Sequence, residues 1–241
     1  MIATVLGFVR SVLALLFWIV FAPPAALIAF PWTLITGNAS FLYWIGMSIA
    51  YAGARIAGAK VKLVGLDKID PAGTYIFMSN HVSNLDPPLL IPLIPGRSSV
   101  LAKKEIWSIP ILGKALDLAE IVPVERSNRD SAINSIRRAS EVMKHHIHMT
   151  IFPEGTRSPD GRLMPFKKGP FHLAAETGFP IVPVTILGTY EMMPKTSSIV
   201  RSGTATLVFH PPVDPKQFAS REELVQAVRA AINSALPPER Q

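Results

Sequence analysis

From Ser11 to Ala54 the chain carries no charged residue, whereas Arg10 stands immediately before this run and Arg55, Lys60 and Lys62 follow it. The polar interruption long enough to turn the chain is Thr36-Gly37-Asn38-Ala39-Ser40. The pattern predicts two apolar helices meeting at that turn, Val5 to Ile35 with a break at Pro23-Pro24, and Phe41 to Arg55. A bilayer span takes about 20 apolar residues, which the first segment reaches and the second approaches. The run is too long for the apolar core of a cleaved signal peptide, so residues 1–57 are read as a retained membrane-anchoring segment. Basic residues at both ends place both on the cytoplasmic face. A hairpin satisfies this, whether it spans fully or dips into one leaflet; one transmembrane anchor with one interfacial helix is the alternative.

After Ala59 the period changes. Short β-branched runs alternate with amphipathic stretches, the pattern of an α/β sheet. Strands are expected at Lys60–Val64, Thr74–Ser79, Ser99–Lys103, Ile121–Val124, His148–Phe152, Ile181–Ile186 and Thr204–Phe209, and helices at Pro87–Leu93, Pro110–Leu118, Asn128–His146, Lys168–Thr177 and Arg221–Ala235. In the third of these helices Ile133, Ile136, Ala139 and Met143 fall on one face, with Ser127 as its N-cap. The predicted fold class is α/β, a single mixed sheet of about seven strands flanked by helices, filling residues 58–236. Pro237 to Gln241 are expected to fray.

Composition narrows the partners. The apolar share is 49%, and most of the excess lies in the N-terminal segment. A net charge of +7 calls for an anionic partner. Nucleic acid is disfavoured, because no zinc spacing, RNA-binding signature or basic heptad accompanies the charge. With no cysteine there is neither a disulfide nor a thiolate nucleophile.

Two loops carry the candidate chemistry. In Asn80-His81-Val82-Ser83-Asn84-Leu85-Asp86-Pro87-Pro88 a histidine and a carboxylate stand five positions apart after a predicted strand. A carboxylate followed by proline suits the start of a helix, with Asp86 at the N-cap. If the loop folds back, Asp86 accepts from one imidazole nitrogen of His81 and leaves the other free as a base. A capped helix with a loop histidine accounts for the same spacing. In Ile151-Phe152-Pro153-Glu154-Gly155-Thr156-Arg157-Ser158, Gly155 lets the backbone turn, Thr156 and the amides offer donors, and Arg157 presents a fork suited to phosphate. Glu154 either braces that arginine or binds a substrate hydroxyl, and a plain surface turn with a salt bridge is the competing account.

Asn80-His81 through Asp86 resembles the histidine–four residues–aspartate block of the glycerolipid acyltransferases, the 1-acylglycerol-3-phosphate acyltransferases. Phe152 to Ser158 is similar to that family's second signature, and Ile121-Val122-Pro123-Val124-Glu125-Arg126 and Ile181-Val182-Pro183-Val184 follow in the family's order. The likeness runs from about Val61 to Phe209. Asn84-Leu85 departs from it, since the family often has an aromatic residue there, as does Glu125, where aspartate is frequent. The resemblance implies that His81 deprotonates the free hydroxyl of a lysophosphatidic acid, which attacks the thioester of acyl-CoA or acyl carrier protein, with Asp86 orienting His81. It further implies that Glu154, Gly155, Thr156 and Arg157 bind the glycerol phosphate, joined by Lys103 and Arg126. The product would be phosphatidic acid, made at the cytoplasmic face of the membrane among its lipids.

No cofactor or metal is expected. Lys144-His145-His146-Ile147-His148 lacks one-face helical spacing and an accompanying carboxylate pair, and histidines at a helix end are favoured by its dipole. Ser83 has no Gly-x-Ser-x-Gly elbow around it. The alternatives to the expected activity are another acceptor (glycerol 3-phosphate, another lysophospholipid or a lyso aminolipid) and a non-catalytic membrane lipid-binding protein.

Overall fold

The computed structural model describes residues 2–109, 112–124 and 129–241. Helix α1 (Ile2–Thr36) and helix α2 (Ser40–Ile56) form an apolar hairpin. The expected break at Pro23-Pro24 is absent: α1 is helical through Pro23, Pro24 and Pro31. Each proline removes one backbone bond, yet an uncharged segment has no better conformation available once water partners are scarce. Val5–Thr36 is long and apolar enough to cross a membrane, and leucines, phenylalanines and tryptophans along it are exposed.

Among the described residues seven strands form one sheet: β1 (Ala59–Val64), β2 (Ile76–Ser79), β3 (Ser98–Lys103), β4 (Val122–Val124), β5 (His148–Ile151), β6 (Ile181–Leu187) and β7 (Gly203–Phe209), in the order β1-β7-β6-β2-β5-β3-β4. Neighbours are parallel except β6 and β7, which run antiparallel. The sheet is therefore mixed. Its central strands β2 and β5 are buried at every position, as near-continuous apolar runs require when both faces are covered.

Alternation along each strand divides two cores. Ile76, Met78, Met149, Ile151 and Ile181 face helices α5 (Arg129–Lys144), α6 (Gly169–Thr177) and α8 (Arg221–Ser234) through Met143, Phe171, Leu173, Val228 and Ile232. On the other face, Phe77, Val182, Val184, Leu207 and Phe209 pack with Leu90 and Ile94, which belong to the short helix α3 (Asp86–Leu90) and the turn after it. Helices α4 (Leu112–Leu118) and α7 (Thr189–Met192) complete the described set.

The hairpin is fastened to this domain along α2. Ser98 N–H donates to the Tyr43 hydroxyl at 3.0 Å near one end. Ala54 and Ala57 pack with Leu85, Leu89, Met192 and Val200 at the other. Gly53 is needed between the helices, because a Cβ there would collide with the Trp18 indole.

The C-terminal residues are docked, contrary to the expected fraying. Leu163 N–H donates to the Arg240 carbonyl at 3.0 Å. The Arg240 guanidinium donates to the Asp160 carbonyl at 2.6 Å and to Glu191 at 2.7 Å, and lies 4.3 Å over the Tyr190 ring. A single arginine with three partners holds a segment that composition alone leaves loose.

Candidate active site

Strand β2 ends in the sheet centre, and the loop beginning with Asn80 leaves it there. Asn80 is buried and pins the exit: its amide donates to the Ile186 carbonyl at 2.9 Å and accepts from Ile186 N–H at 2.7 Å. The next residue is His81. Its Nδ1 lies 2.8 Å from Oδ2 of Asp86, whose side chain is fully buried.

The same Asp86 oxygen accepts from Val82 N–H at 2.7 Å and Ser83 N–H at 2.8 Å. Asp86 was expected as an N-cap; it is instead the first residue of α3, with Leu85 in the cap position, and its carboxylate turns back into the loop. Three donors converge on it there, which a helix start exposed to water does not offer. Ser83 tightens the same loop, accepting from Leu85 N–H at 3.1 Å and donating to the Met193 carbonyl at 2.8 Å.

With Nδ1 committed to Asp86, Nε2 of His81 is left without a partner among the described residues. The Phe152 ring stacks on the imidazole with centroids 4.2 Å apart. This face of the ring is therefore shielded from water.

The turn after β5 grips the His81 backbone. Glu154 is buried, and its Oε1 accepts from His81 N–H at 2.7 Å while Oε2 accepts from Met164 N–H at 3.1 Å. Burial pushes the Glu154 carboxyl up to about 7, against the lowering effect of the two amide bonds. Ser158 N–H closes the connection by donating to the His81 carbonyl at 2.8 Å. Glu154 thus joins the two loops; it neither braces Arg157 nor lines the cavity described next.

A cavity of about 540 Å³ opens beside His81. Its walls are mainly apolar, from Val100, Leu101, Ile106, Ile136, Ile151 and Phe152. Polar groups enter from His81, Lys103, Ser135, Gly155 and Lys167. Gly155 has a φ of +75°, and a Cβ at this position would press into the Lys167 side chain. Lys103 pairs with Glu105 at 3.0 Å on the exposed rim.

The other expected substrate residues lie differently. Thr156 is exposed and Arg157 half-buried, and neither lines the cavity. The Lys195 ammonium donates to the Arg157 carbonyl at 3.0 Å and sits 3.5 Å from the Thr156 hydroxyl. Arg126, with Glu125 and the expected cap Ser127, lies outside the described residues. Sequence reasoning missed Lys167, Lys195 and Phe152. The first two stand outside any motif; Phe152 lay within the quoted block but offered no hint of its stacking.

Among the described residues, the histidines near the end of α5 form no group placed to hold a metal ion. His148 is buried, accepts from Tyr75 N–H through Nδ1 at 3.1 Å, and contacts the Pro95 carbonyl through Nε2 at 2.7 Å. Burial lowers its pKa. It bonds β5 to the entry of β2.

Residues 60–187, just over half of the chain, match the family model described as Acyltransferase. The chain belongs to the acyltransferase family. The matched stretch contains both loops, His81 to Asp86 and Glu154 to Arg157. Among related proteins, the chloroplastic 1-acyl-sn-glycerol-3-phosphate acyltransferase BAT2 of Brassica napus is 39% identical over 169 residues, covering 69% of this chain and 47% of that protein. The chain spans about half the length of the first plant relatives it matches. The human 1-acyl-sn-glycerol-3-phosphate acyltransferase alpha is 30% identical over 201 residues, 81% of this chain and 69% of that protein. The crystal structure of the 1-acyl-sn-glycerophosphate acyltransferase PlsC from Thermotoga maritima superposes with a TM-score of 0.77 at 29% identity, covering 97% of this chain and 94% of that one. At that coverage the hairpin belongs to the shared architecture as well as the domain.

Proposed function

We propose that this acyltransferase moves an acyl chain from an acyl thioester to the free hydroxyl of a 1-acylglycerol 3-phosphate, giving phosphatidic acid. The observation that carries the reading is the His81–Asp86 pair, with Nε2 unpartnered among the described residues, at the wall of an apolar cavity. The relatives named above, which are acyltransferases for this class of acceptor, support it.

In this mechanism Nε2 of His81 takes the proton from the acceptor hydroxyl as its oxygen forms a bond to the thioester carbonyl carbon. Asp86 holds the ring tautomer and stabilises the imidazolium that results. As the carbon–sulfur bond of the tetrahedral intermediate breaks, His81 returns the proton to the departing thiolate. Proton and electron pair are balanced, and neither a metal nor a covalent enzyme intermediate takes part. General base catalysis of this kind is worth about 10²–10⁴ in rate.

The apolar cavity takes the acyl chain. The acceptor phosphate, carrying about two negative charges, is met by Lys103 and Lys167, which line the cavity; Arg157, and Arg126 by the resemblance to the family, are proposed as further partners. Acyl-CoA and acyl carrier protein are both acidic and fit a chain of net charge +7. Glu154 acts as a positioning residue, holding the backbone of His81.

The hairpin sits in one leaflet at the cytoplasmic face. Tyr43 and Ala57 are both fastened to the domain and lie about 20 Å apart along α2 and its C-cap, which supports a hairpin that stays in one leaflet.

The test is acyl transfer from acyl-CoA to lysophosphatidic acid by the purified full chain in detergent micelles, with His81→Ala as control. Turnover is expected in the native chain and a loss of at least about a hundredfold in the variant. Undiminished transfer by His81→Ala overturns the mechanism. Equal transfer to an acceptor without phosphate overturns the acceptor assignment.

A further inference from the structure

A second concavity lies at the base of the hairpin. It has a volume of about 480 Å³ and is lined by Arg10, Arg55, Ile56, Gly58, Lys60, Ser202, Gly203 and Thr204. It shares no lining residue with the cavity at His81. Three elements distant in sequence meet there: α1, the α2–β1 junction, and the segment leading into β7.

The chemistry of this site is one-sided. Three cations and two hydroxyls line it, and among the described residues no carboxylate does. None of these five side chains has a hydrogen bond or ion pair among the described residues. Like charges brought together without a counter-charge repel, by an amount that grows as water is excluded. Such a cluster is stabilised by an anion with several acceptor oxygens, which guanidinium forks and hydroxyl donors match in geometry.

Position selects the source of that anion. Arg10 and Arg55 are the residues at which charge stops and resumes around the uncharged run, so the pocket stands at the charged edge of the apolar hairpin. Phe8, Val9 and Val12 are exposed beside Arg10. A soluble phosphate reaches this depth no more readily than a phosphate already attached to a lipid, and the lipid arrives at a far higher local concentration. The parallel strands β1 and β7 run opposite to β6 and β2, so their N-termini lie at the same end of the sheet as the exit of β2 toward His81.

We propose that the pocket formed by Arg10, Arg55, Lys60, Ser202 and Thr204 binds the phosphate headgroup of an anionic glycerophospholipid of the host bilayer. This is a lipid site separate from the acceptor site. It fixes the rotation of the domain on the membrane so that the His81 end of the sheet faces the leaflet. The proposal rests on the membrane association of the hairpin, which the experiment reads separately.

The experiment is co-sedimentation of the purified full chain with vesicles of phosphatidylcholine alone and of phosphatidylcholine with phosphatidylglycerol, at fixed ionic strength. Each cation near an anionic surface adds about fivefold in affinity. Native chain is therefore expected to bind the phosphatidylglycerol vesicles on the order of a hundredfold more tightly. The combined Arg10→Ala, Arg55→Ala and Lys60→Ala variant is expected to lose that preference and keep its binding to phosphatidylcholine. A comparison variant lacking Arg137, Lys144 and Lys216, cations outside the pocket, keeps the preference. Arg55→Glu alone, at an exposed position, gives the same reading if the triple variant does not fold. Retention of the preference by the pocket variants, or its equal loss in the comparison variant, overturns the site. Displacement by inorganic phosphate at matched ionic strength overturns the lipid as its source. Failure of the native chain to bind any vesicle overturns instead the membrane role of the hairpin.

Discussion

The backbone N–H of His81 donates to Oε1 of Glu154 at 2.7 Å, so the proposed base is held by its ring through Asp86 and by its main chain through a residue 73 positions away. The two loops behave as one unit because each supplies the acceptor that the other lacks. A change at Glu154 is therefore felt at the imidazole, although Glu154 is absent from the cavity wall.

This sharing gives Glu154 a pH signature. Its carboxyl is pushed from an ordinary value near 4.5 up to about 7, so the folded chain binds the proton more tightly than the unfolded chain. Stability then falls as pH rises from about 4.5 to about 7 and is flat above, a loss of about 3 kcal/mol at most from this group. Glu154→Gln removes that slope. It also turns an amide donor toward one of two backbone N–H groups, a cost of about 1–3 kcal/mol. Thermal unfolding in detergent across this pH range checks both, and an unchanged slope in the variant sinks the assignment.

Asp86→Asn separates charge from shape. An asparagine oxygen in place of Oδ2 still accepts from Val82 and Ser83, and its amide nitrogen occupies the position of Oδ1, which has no partner among the described residues. Folding is expected to survive while kcat drops by about 10²–10⁴, because the imidazolium loses its counter-charge. Steady-state kinetics beside the melting temperature make the comparison.

If the apolar cavity holds the acyl chain as proposed, its depth sets the length that fits. Ile136 projects into it from α5. Ile136→Trp is expected to shift preference toward shorter chains, since each methylene denied burial forfeits about 0.8 kcal/mol, roughly fourfold in selectivity. Competition among acyl thioesters of graded length, read by lipid-product mass spectrometry, measures it. Unchanged selectivity places the chain elsewhere.

Arg240 fastens the C-terminus to the loop that carries Asp160 and Leu163. Arg240→Ala is expected to cost about 1–3 kcal/mol, from two charge-assisted bonds and the contact with Tyr190. Amide hydrogen exchange over residues 159–164 should quicken. Exchange identical to the native chain would return the tail to the loose state that its composition predicts.

Much of the fold was legible because burial leaves a local trace. Runs such as Ile76 to Met78 and Ile181 to Val184 are apolar at consecutive positions, as strands covered on both faces require. The pairing of His81 with Asp86 was one of two accounts that the spacing allowed, and the resemblance to the family's block, not the spacing, pointed to it. The hold of Glu154 on the His81 backbone was not legible, because its partners there are backbone amides, which carry no sequence identity. Lys167 and Lys195 escaped for a related reason: each reaches the second loop from elsewhere in the chain, and a lysine outside a motif looks like any surface cation. The docked tail escaped because Arg240 finds acceptors supplied by Asp160 and Glu191.

By itself the sequence determined which segments are apolar, where charge stops and returns, the alternation that makes an α/β sheet, and the residues able to do acid–base chemistry. These depend on the solvation and conformational preference of near neighbours, which order along the chain records. Only the tertiary structure decided that Asp86 faces backward into its loop, that Glu154 holds His81 by the main chain, that α2 lies on the domain, and that Arg10, Arg55 and Lys60 meet around one pocket. Each of these joins groups separated along the chain or made of backbone atoms, and a hydrogen bond or a cluster of charges at that range exists only once the sheet has brought its partners together.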